Sequence, residues 1–329
     1  MNKIQKVSIT GIGSFLPEKV LSNADLEKMV DTSDEWITKR TGIKERRIVV
    51  DGIASSDLAV NASLKALEDA NLSPSELDLI ITSTVTPDHL FPSTSCYVQK
   101  KIGAVNAGAF DILAACAGFI YALSIAKGFI SSGAMNNILV IGSECLSKIT
   151  DYTDRTSCVL FGDGAGAAVV QKSNDDSEIF PCILGADGSL SDILILPAGG
   201  SKIPTSQETL DKRLHYMKIK GKEVFKVATN RLISLAKETV DKCNLKIEDI
   251  DLFVSHQSNL RIIKMAMGKL GVPMNKVYVN IDRYGNTSSA SVPIAIDEAR
   301  RDGRLKKGDL VLLTALGGGL TWSSTILRW

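Results

Sequence analysis

The amino-acid sequence predicts a layered α/β protein built from two related halves. Short runs rich in Val, Ile and Leu alternate with longer helix-like stretches along most of the 329 residues, which is the pattern of strands packed between helices. The pattern recurs at one constant offset, because Asn71-Leu72 with the following Leu77-Asp78-Leu79 matches Asn244-Leu245 with Ile250-Asp251-Leu252. The recurrence indicates a duplication, and we expect one half over residues 1–174 and the other over residues 175–329.

Each strand is predicted from a short apolar run and each helix from a longer periodic stretch. The first half has, in order, a strand near 6–12, a helix at 55–70, a strand at 78–83, a helix at 93–102, a strand at 108–112, a helix at 116–132 and a strand at 137–143. The second half has a helix at 222–243, a strand at 251–255, a helix at 259–270, a strand at 277–281, a helix at 288–301 and a strand at 309–315. The offset that relates Asn71 to Asn244 also pairs Ser83 with His256 and Cys116 with Ser289.

The segment 196–214 differs from both halves because it is polar and rich in Gly and Pro. We expect a loop there. It is either a mobile flap over a substrate entrance or an ordinary surface excursion, and the sequence favours neither.

Composition excludes several classes of function. A formal net charge of +1 provides no general field for nucleic acid or an anionic membrane, so a charged partner requires a local patch. No apolar run approaches the roughly 18 residues of a membrane span, and the N-terminus has no signal-like apolar core, so we expect a cytoplasmic protein. The six cysteines have neither CxxC nor zinc-site spacing, and we expect reduced thiols and no metal site.

Cys116 is the candidate nucleophile. It stands among small residues in Asp111-Ile112-Leu113-Ala114-Ala115-Cys116-Ala117-Gly118-Phe119, after a predicted strand and at the start of a predicted helix. Backbone N–H groups and the positive dipole end of a helix favour a thiolate at such a position. The alternative is a small buried hydrophobic residue, which is the commoner role of a free cysteine.

His256 and Asn286 are the candidate partners of this thiol. His256 directly follows a predicted buried strand, where α/β proteins commonly place catalytic groups, whereas His89 and His215 lie in polar stretches. Asn286 lies in a Gly-Asn turn before a small-residue helix start, which by itself indicates only a capped helix. The duplication could bring all three to one cleft, where a thiolate can attack a thioester and imidazole and carboxamide N–H groups can stabilise an enolate. Such chemistry requires no metal or redox cofactor.

Two glycine-rich segments complete the pattern. Gly317-Gly318-Gly319 follows the last predicted strand and can supply backbone N–H groups to an oxyanion hole. The segment around Gly162 lacks the strand-before, helix-after context of a dinucleotide loop, so we interpret it as close backbone packing.

Over essentially its full length the chain resembles the β-ketoacyl-acyl-carrier-protein synthase III family, the thiolase-fold initiating condensing enzymes of type II fatty acid synthesis. The resemblance is carried by Asp34 to Ile43, the Cys116 segment, Asp154-Arg155 with the Gly162 segment, His256-Gln257-Ser258-Asn259, Tyr284 to Ser288, and Gly317-Gly318-Gly319. It implies a five-layered αβαβα thiolase-like fold. It also implies a decarboxylative Claisen condensation in which an acyl-coenzyme A primer, with acetyl-coenzyme A expected, and malonyl-acyl carrier protein give 3-oxoacyl-acyl carrier protein, coenzyme A and carbon dioxide.

The resemblance assigns roles residue by residue. Cys116 is implied as the acyl-accepting nucleophile, His256 and Asn286 as donors in decarboxylation, and the N–H groups of Cys116 and Gly318 as the oxyanion hole. The remaining implied residues are those of a coenzyme A site (Trp36, Arg40, Arg155, Gly221 and Asn259), those of carrier-protein docking (Lys226, Arg261 and Lys269), and Phe91, which reaches the acyl pocket of the other subunit of a homodimer. Ser258, Leu316, Leu320 and Ser323 depart from the usual family residues, which leaves the choice of primer open.

Three alternatives to this function remain. A ketosynthase of secondary metabolism would keep the same three residues but use another primer or extender. A Cys-His-Asn hydrolase would share their order, although the surroundings of Cys116 do not match that class. A catalytically inactive scaffold that only binds acyl carriers would not acylate Cys116.

Overall fold

The computed structural model describes residues 5–329 and consists of alternating strands and helices. Its strands are β1 (Val7–Phe15), β2 (Val20–Ser22), β3 (Glu45–Arg47), β4 (Leu79–Ser83), β5 (Gly108–Ile112), β6 (Asn137–Glu144), β7 (Gly164–Lys172), β8 (Glu178–Ile179), β9 (Ile183–Ala186), β10 (Leu194–Ile195), β11 (Lys218–Ile219), β12 (Leu252–Ser255), β13 (Leu310–Gly317) and β14 (Thr321–Arg328). Its α-helices are α1 (Asn23–Glu27), α2 (Asp34–Thr41), α3 (Ser55–Asp69), α4 (Thr94–Ile102), α5 (Gly118–Ser131), α6 (Arg155–Cys158), α7 (Gln207–Asp211), α8 (Gly221–Lys242), α9 (Leu260–Leu270), α10 (Ile281–Tyr284) and α11 (Ser291–Arg301).

Two sheets and three helical layers alternate in the order αβαβα. The first sheet has the strand order β1-β7-β6-β4-β5, and the second has the order β12-β13-β14-β8 with β9 also paired to β14. Helices α5 and α11 lie between the two sheets, α3 and α4 cover the outer face of the first sheet, and α8 and α9 cover the outer face of the second. The predicted layered α/β class is therefore confirmed.

Equivalent side chains in the two halves point in the same direction relative to the sheets. Ile81 on β4 and Val254 on β12, which the offset makes equivalent, both pack in the central core between the sheets. Their neighbours Ile80 and Phe253 both pack outward, each against the outer helices of its own sheet. Since successive side chains of a strand alternate between faces, the offset matches each inward-facing residue of one half with an inward-facing residue of the other.

Backbone conformations repeat with the same offset. Asn71 and Asn244 have φ angles of 49° and 54°, so both adopt the left-handed conformation at the turn that ends a long helix. A 3-10 turn follows at Pro74–Glu76 in the first half and at Ile247–Asp249 in the second. The offset thus covers turns as well as strands.

Most predicted elements agree closely with the structure at both ends, but the strand predicted at 277–281 is wrong. Val277 makes a single bridge to Phe253, and helix α10 begins at Ile281. The amide of Gln257 accounts for the difference, because it donates to the carbonyl of Tyr278 at 3.2 Å and accepts from the N–H of Asn280 at 3.1 Å. A buried side chain thereby takes the backbone groups that a strand partner would otherwise use.

Residues that form or border the candidate site lie at the C-terminal ends of parallel strands in both sheets. Cys116 follows β5, Glu144 ends β6, His256 follows β12 and Gly317 ends β13. Strand β4 pairs in parallel with both β5 and β6 and so aligns the first two of these, while the parallel pair β12 and β13 aligns the last two. Within residues 5–329, no helix is both long enough and apolar enough to cross a membrane.

Candidate active site

One cavity of about 620 Å³ contains most of the predicted site residues. Cys116, His256 and Asn286 all line it, although they come from three separate parts of the chain and from both halves. Each of the three is more than nine-tenths buried, with exposed fractions of 7%, 4% and 8%. The structure thus brings together three polar groups that lie far apart in the sequence.

Cys116 lies in a short 3-10 turn, Ala115–Ala117, that directly precedes helix α5. Ala115 has a φ of 46°, which is unusual for a residue other than glycine and fixes the turn in the left-handed region. Burial raises the pKa of the Cys116 thiol to about 12, although a hydrogen bond with Ser288 opposes part of the increase. Burial therefore opposes the thiolate that the helix N-terminus favours.

His256 is held by hydrogen bonds of the backbone, and its burial favours the neutral imidazole. The backbone N–H of His256 donates to the carbonyl of Thr314 at 2.7 Å. The backbone N–H of the following residue, Gln257, donates to Ser291 Oγ at 2.7 Å. Burial lowers the pKa of the His256 imidazole to about 3. A neutral imidazole can donate one hydrogen bond and accept another.

Asn286 is oriented by hydrogen bonds on three sides. Its backbone N–H donates to Leu160 O at 2.8 Å, and its carbonyl accepts from the N–H of Gly162 at 3.0 Å. Its side-chain Oδ1 accepts from the N–H of Ser288 at 2.9 Å. The amide oxygen is therefore engaged, and the Nδ2 group is left as the donor of this side chain.

The predicted close packing around Gly162 explains how this arrangement fits together. A Cβ at Gly162 would lie 2.2 Å from Tyr284 O, and one at Gly285 would lie 2.8 Å from Leu160 O. Both distances are shorter than real Cβ contacts. Only glycine allows the two backbones to approach closely enough for the hydrogen bonds of Asn286 to form.

The glycine-rich turn meets the Cys116 turn through backbone contact. A Cβ at Gly317 would lie only 2.6 Å from Cys116 N, so the end of β13 is packed directly against the thiol-bearing turn. Gly317 lines the cavity, whereas Gly318 is next to Leu194, whose carbonyl would be 3.1 Å from a Cβ at that position. The proposed part of Gly318 in an oxyanion hole stays a prediction.

Four of the five residues predicted for coenzyme A line the same cavity. Trp36, Arg40, Gly221 and Asn259 line it, and Arg155 lies beside Trp36. The guanidinium carbons of Arg155 and Arg40 are 5.1 Å and 5.8 Å from the centre of the Trp36 ring. Arg155 is itself held by donating to Asp31 O at 2.7 Å. A half-buried indole beside two cations suits stacking on a planar ring and binding of phosphate.

The residues predicted to contact other proteins are exposed on the surface. Lys226 on α8 and Arg261 and Lys269 on α9 are exposed, and none of them forms an ion pair within residues 5–329. Arg261 also lines the cavity, which places part of this basic surface at the opening. Phe91 is 86% exposed and does not line the cavity, and its neighbour Leu90 is 85% exposed.

Segment 196–214 contains more structure than the loop that was expected. It includes helix α7, and strands β10 and β11 pair with each other on either side of it. Arg213 donates to both carboxylate oxygens of buried Asp151, at 2.6 Å and 2.9 Å, and so ties the segment to the body of the protein. Leu194 on β10 and Ile219 on β11 line the cavity.

Several residues that support the site gave no signal in the sequence. Thr321 Oγ1 donates to Ala114 O at 2.8 Å, and Ser323 Oγ donates to Ala117 O at 2.9 Å, so strand β14 holds both sides of the Cys116 turn. Strand β14 itself was not predicted. Its small polar residues have no apolar periodicity from which a strand could be predicted. Their hydrogen bonds to the Cys116 turn follow only from the position of β14 between β13 and β9.

Comparison with known proteins agrees with this architecture. Family models described as 3-oxoacyl-acyl-carrier-protein (ACP) synthase III and its C-terminal part match residues 110–188 and 240–329. A beta-ketoacyl-acyl-carrier-protein synthase III of Caldanaerobacter subterraneus is 56% identical over 98% of this chain and 97% of its own length. The crystal structure of a 3-oxoacyl-acyl-carrier-protein synthase III from Aquifex aeolicus is 50% identical, with a TM-score of 0.91 over 98% of this chain and 100% of that one. The priming β-ketosynthase of a polyketide biosynthetic pathway is 36% identical, with a TM-score of 0.91 over 99% of this chain and 97% of that one.

Proposed function

The chain belongs to the 3-oxoacyl-acyl-carrier-protein synthase III family of thiolase-fold acyltransferases, which perform the initiating condensation of fatty acid synthesis, and we propose that Cys116, His256 and Asn286 carry out this condensation. The observation that supports the proposal is their convergence. All three are buried and line one cavity, and the amide oxygen of Asn286 is engaged so that its N–H groups remain as donors. The reaction proceeds in two steps on one thiol.

In the first step the sulfur of Cys116 attacks the carbonyl carbon of an acyl-coenzyme A. The new carbon–sulfur bond to Cys116 forms as the bond to the coenzyme A sulfur breaks, and coenzyme A leaves as its thiol. Because the Cys116 thiol is protonated in the free protein, its proton must move during the attack. Neutral His256, which lines the same cavity, is the base available to accept this proton and pass it to the leaving sulfur.

In the second step malonyl-acyl carrier protein enters and loses carbon dioxide. The electron pair of the breaking carbon–carbon bond forms an enolate, whose oxygen accepts hydrogen bonds from the neutral imidazole of His256 and from Nδ2 of Asn286. The enolate carbon attacks the acyl thioester on Cys116, and the N–H groups of Cys116 and Gly318 stabilise the tetrahedral oxyanion. As the tetrahedral intermediate collapses, the carbon–sulfur bond to Cys116 breaks and the sulfur takes up one proton from solvent. The products are 3-oxoacyl-acyl carrier protein, carbon dioxide and a free Cys116 thiol. These steps consist of thioester chemistry alone, and we propose that they use no bound cofactor.

The substrates and the partner subunit are assigned by the same reasoning. We propose that Trp36 and Arg155 bind the adenine of coenzyme A and that Arg40, Gly221 and Asn259 line the path of its phosphates and pantetheine. The exposed cations Lys226, Arg261 and Lys269 would dock the acidic carrier protein beside the opening. Exposed Phe91 would be covered in a homodimer, because β5 is an edge strand of the first sheet and exposed Leu113, at 78%, follows it.

Intact-mass measurement after incubation with acetyl-coenzyme A and longer or branched acyl-coenzyme A compounds tests the first step. The wild-type chain should gain one acyl group, and Cys116→Ala should gain none. Cys96→Ala is the matched control, because Cys96 is an exposed cysteine outside the cavity, and it should acylate like the wild type. If Cys116→Ala were acylated to the same extent, another nucleophile would have to be sought.

Product analysis tests the second step. Malonyl-acyl carrier protein should give a 3-oxoacyl product and carbon dioxide, and His256→Ala should lose decarboxylation while it still accepts the acyl group, although more slowly. A His256→Ala variant that decarboxylates at the wild-type rate would contradict the assigned role.

A ketosynthase of polyketide biosynthesis is the second candidate, because one such priming enzyme shares the fold over nearly the whole chain. It would use the same three residues with a different primer or extender. A primer other than acetyl-coenzyme A that acylates Cys116 with a higher kcat/KM would favour this candidate. Equal condensation with malonyl-coenzyme A and malonyl-acyl carrier protein would also favour it.

A further inference from the structure

A second group of buried polar side chains lies where the internal repeat places the counterpart of the active site. Ser289 is the equivalent of Cys116, and Ser83 is the equivalent of His256. The two 3-10 turns, Ala115–Ala117 and Ser288–Ala290, begin at equivalent positions with φ angles of 46° and 49°. This second centre does not line the cavity and therefore contacts no substrate there.

Glu144 is the acidic member of this group. It ends strand β6, just as Gly317 ends β13 at the equivalent position of the second half, and it is completely buried. Its Oε2 accepts from the N–H of Val85 at 3.0 Å and from Thr86 Oγ1 at 2.8 Å. Thr86 Oγ1 in turn accepts from the N–H of Cys145 at 2.8 Å, so its own proton is available for Glu144. Within residues 5–329, no Lys, Arg or His side chain bonds to this carboxyl group.

The contact of the other oxygen of Glu144 with Ser289 bears directly on the protonation of the carboxyl group. Oε1 lies 2.8 Å from Ser289 Oγ, and Ser289 Oγ lies 2.9 Å from the carbonyl oxygen of Ser83. A hydroxyl group has only one proton, and a carbonyl oxygen can only accept. Both contacts are hydrogen bonds only if Ser289 donates to Ser83 and Glu144 donates to Ser289. A carboxylate could not donate, and one of the two contacts would then be lost.

Desolvation favours the same state. Burial raises the pKa of Glu144 above its ordinary value, and hydrogen bonds donated by Thr86 and Val85 oppose only part of the increase. An ionised carboxylate that is completely buried without a cationic partner is costly, and such groups usually become neutral instead.

Glu144 is connected to the nucleophile through the Ser288–Ala290 turn, in which Ser288 directly precedes Ser289. The Ser288–Ala290 turn packs directly against the Ala115–Ala117 turn that carries Cys116. The Ser288 side chain lowers the pKa of both Cys116 and Glu144, in each case against the larger effect of burial. Ser288 also donates its N–H to Asn286 Oδ1 at 2.9 Å. The turn that Glu144 holds through Ser289 is therefore the turn that orients Asn286 and contacts the Cys116 thiol.

We propose that Glu144 is a neutral carboxylic acid that donates to Ser289 and thereby positions the Ser288–Ala290 turn against Cys116 and Asn286. It is a positioning residue, and the inference rests on the proposed role of Cys116 as the acylated nucleophile. A neutral acid provides the hydrogen bonds of this turn without placing a negative charge beside the thiolate and enolate that form during the reaction. Glutamine is the matched substitute, because its NH2 group can donate to Ser289 while its oxygen accepts from Val85 and Thr86.

The protonation state has two direct readouts that do not depend on condensation. Infrared difference spectra of wild type against Glu144→Gln at neutral pH should contain the carbonyl stretch of a protonated carboxylic acid, assigned by isotopic labelling of glutamate. Alkylation of Cys116 by iodoacetamide, followed by intact mass, should have the same rate in both proteins at neutral pH. The titratable groups that bear on this rate are Cys116 itself, His256, Glu144 and Cys145 beside Glu144. An absent acid band overturns the proposal. So does an alkylation rate about tenfold higher in Glu144→Gln, because removal of a neighbouring charge would lower the thiol pKa by about one unit.

The positioning role is tested by the rate of Cys116 acylation. Glu144→Ala should slow acylation about five- to tenfold or more, as expected for loss of a buried hydrogen bond, and Glu144→Gln should restore most of the rate. Ser289→Ala removes the same connection with a smaller change in volume, and it should give a similar loss even if Glu144→Ala fails to fold. Wild-type acylation rates in folded Glu144→Ala or in Ser289→Ala would overturn the proposal. A wild-type chain that never acylates Cys116 would instead refute the proposed function and leave the infrared and alkylation results standing.

Discussion

Gly317→Ala should distort the candidate active site through one methyl group. The added Cβ would lie 2.6 Å from Cys116 N, 2.9 Å from Ala115 Cβ and 3.0 Å from Ala114 O. All three atoms belong to the backbone or to a methyl side chain, so no flexible side chain can rotate away. The conflict can be relieved only if strand β13 and the Cys116 turn move apart.

The size of the effect follows from this geometry. Forcing an extra methyl group into a packed interior costs about 1–3 kcal/mol, and we expect a decrease of that size in the free energy of unfolding. The turn also carries the thiol and the Cys116 N–H group. Because a displacement of about 1 Å at a reacting group can cost a factor of about 100 in rate, acylation should slow by one to two orders of magnitude.

Urea unfolding and the rate of acylation by acetyl-coenzyme A, followed by intact mass, measure the two effects. Gly128→Ala is the matched control, because Gly128 is an exposed position of helix α5 with no atom within 4 Å of the added Cβ. Alanine at that position should stabilise the helix by about 1 kcal/mol and leave acylation unchanged. If Gly317→Ala acylated at the wild-type rate with unchanged stability, the close contact between β13 and the Cys116 turn would not constrain the site as argued.

Four further predictions concern charge and contact. Burial lowers the pKa of His256 in the folded chain from 6.5 to about 3, so the unfolded chain binds the proton first as the pH falls below 6.5. The free energy of unfolding should therefore decrease by about 1.4 kcal/mol per pH unit towards pH 3. Urea unfolding should show this slope in the wild type and a shallower slope in His256→Gln; equal slopes would contradict a neutral buried imidazole. Trp36→Ala should raise the KM for acyl-coenzyme A about tenfold with little change in kcat, whereas a change in kcat alone would contradict an adenine-binding role. Lys269→Glu should raise the KM for the carrier protein several-fold, most strongly at low ionic strength, and an effect independent of salt would argue against electrostatic docking. Phe91→Glu should shift sedimentation from dimer to monomer, and an unaltered dimer would place the interface elsewhere.

Local sequence patterns were sufficient to predict most of the secondary structure. Strands such as β4 and β13 consist of short apolar runs, and their alternating side chains fill the central and outer cores at once. Each of these strands has a counterpart in the other half of the chain. The repeat therefore also predicted that the two halves contain their elements in the same order. The strand predicted at 277–281 failed because the deciding contact, the amide of Gln257, comes from a different element earlier in the chain.

The sequence by itself determined which chemical groups are available and at which ends of strands they stand. Cys116, His256 and Asn286 follow from residue type, from position after a strand and from the family resemblance, none of which depends on distant contacts. The tertiary structure decided their electrical state and orientation. Burial favours a protonated thiol and a neutral imidazole, and the backbone N–H of Ser288 engages the Asn286 oxygen. Desolvation depends on every element that packs around a group, so no local stretch of sequence encodes it.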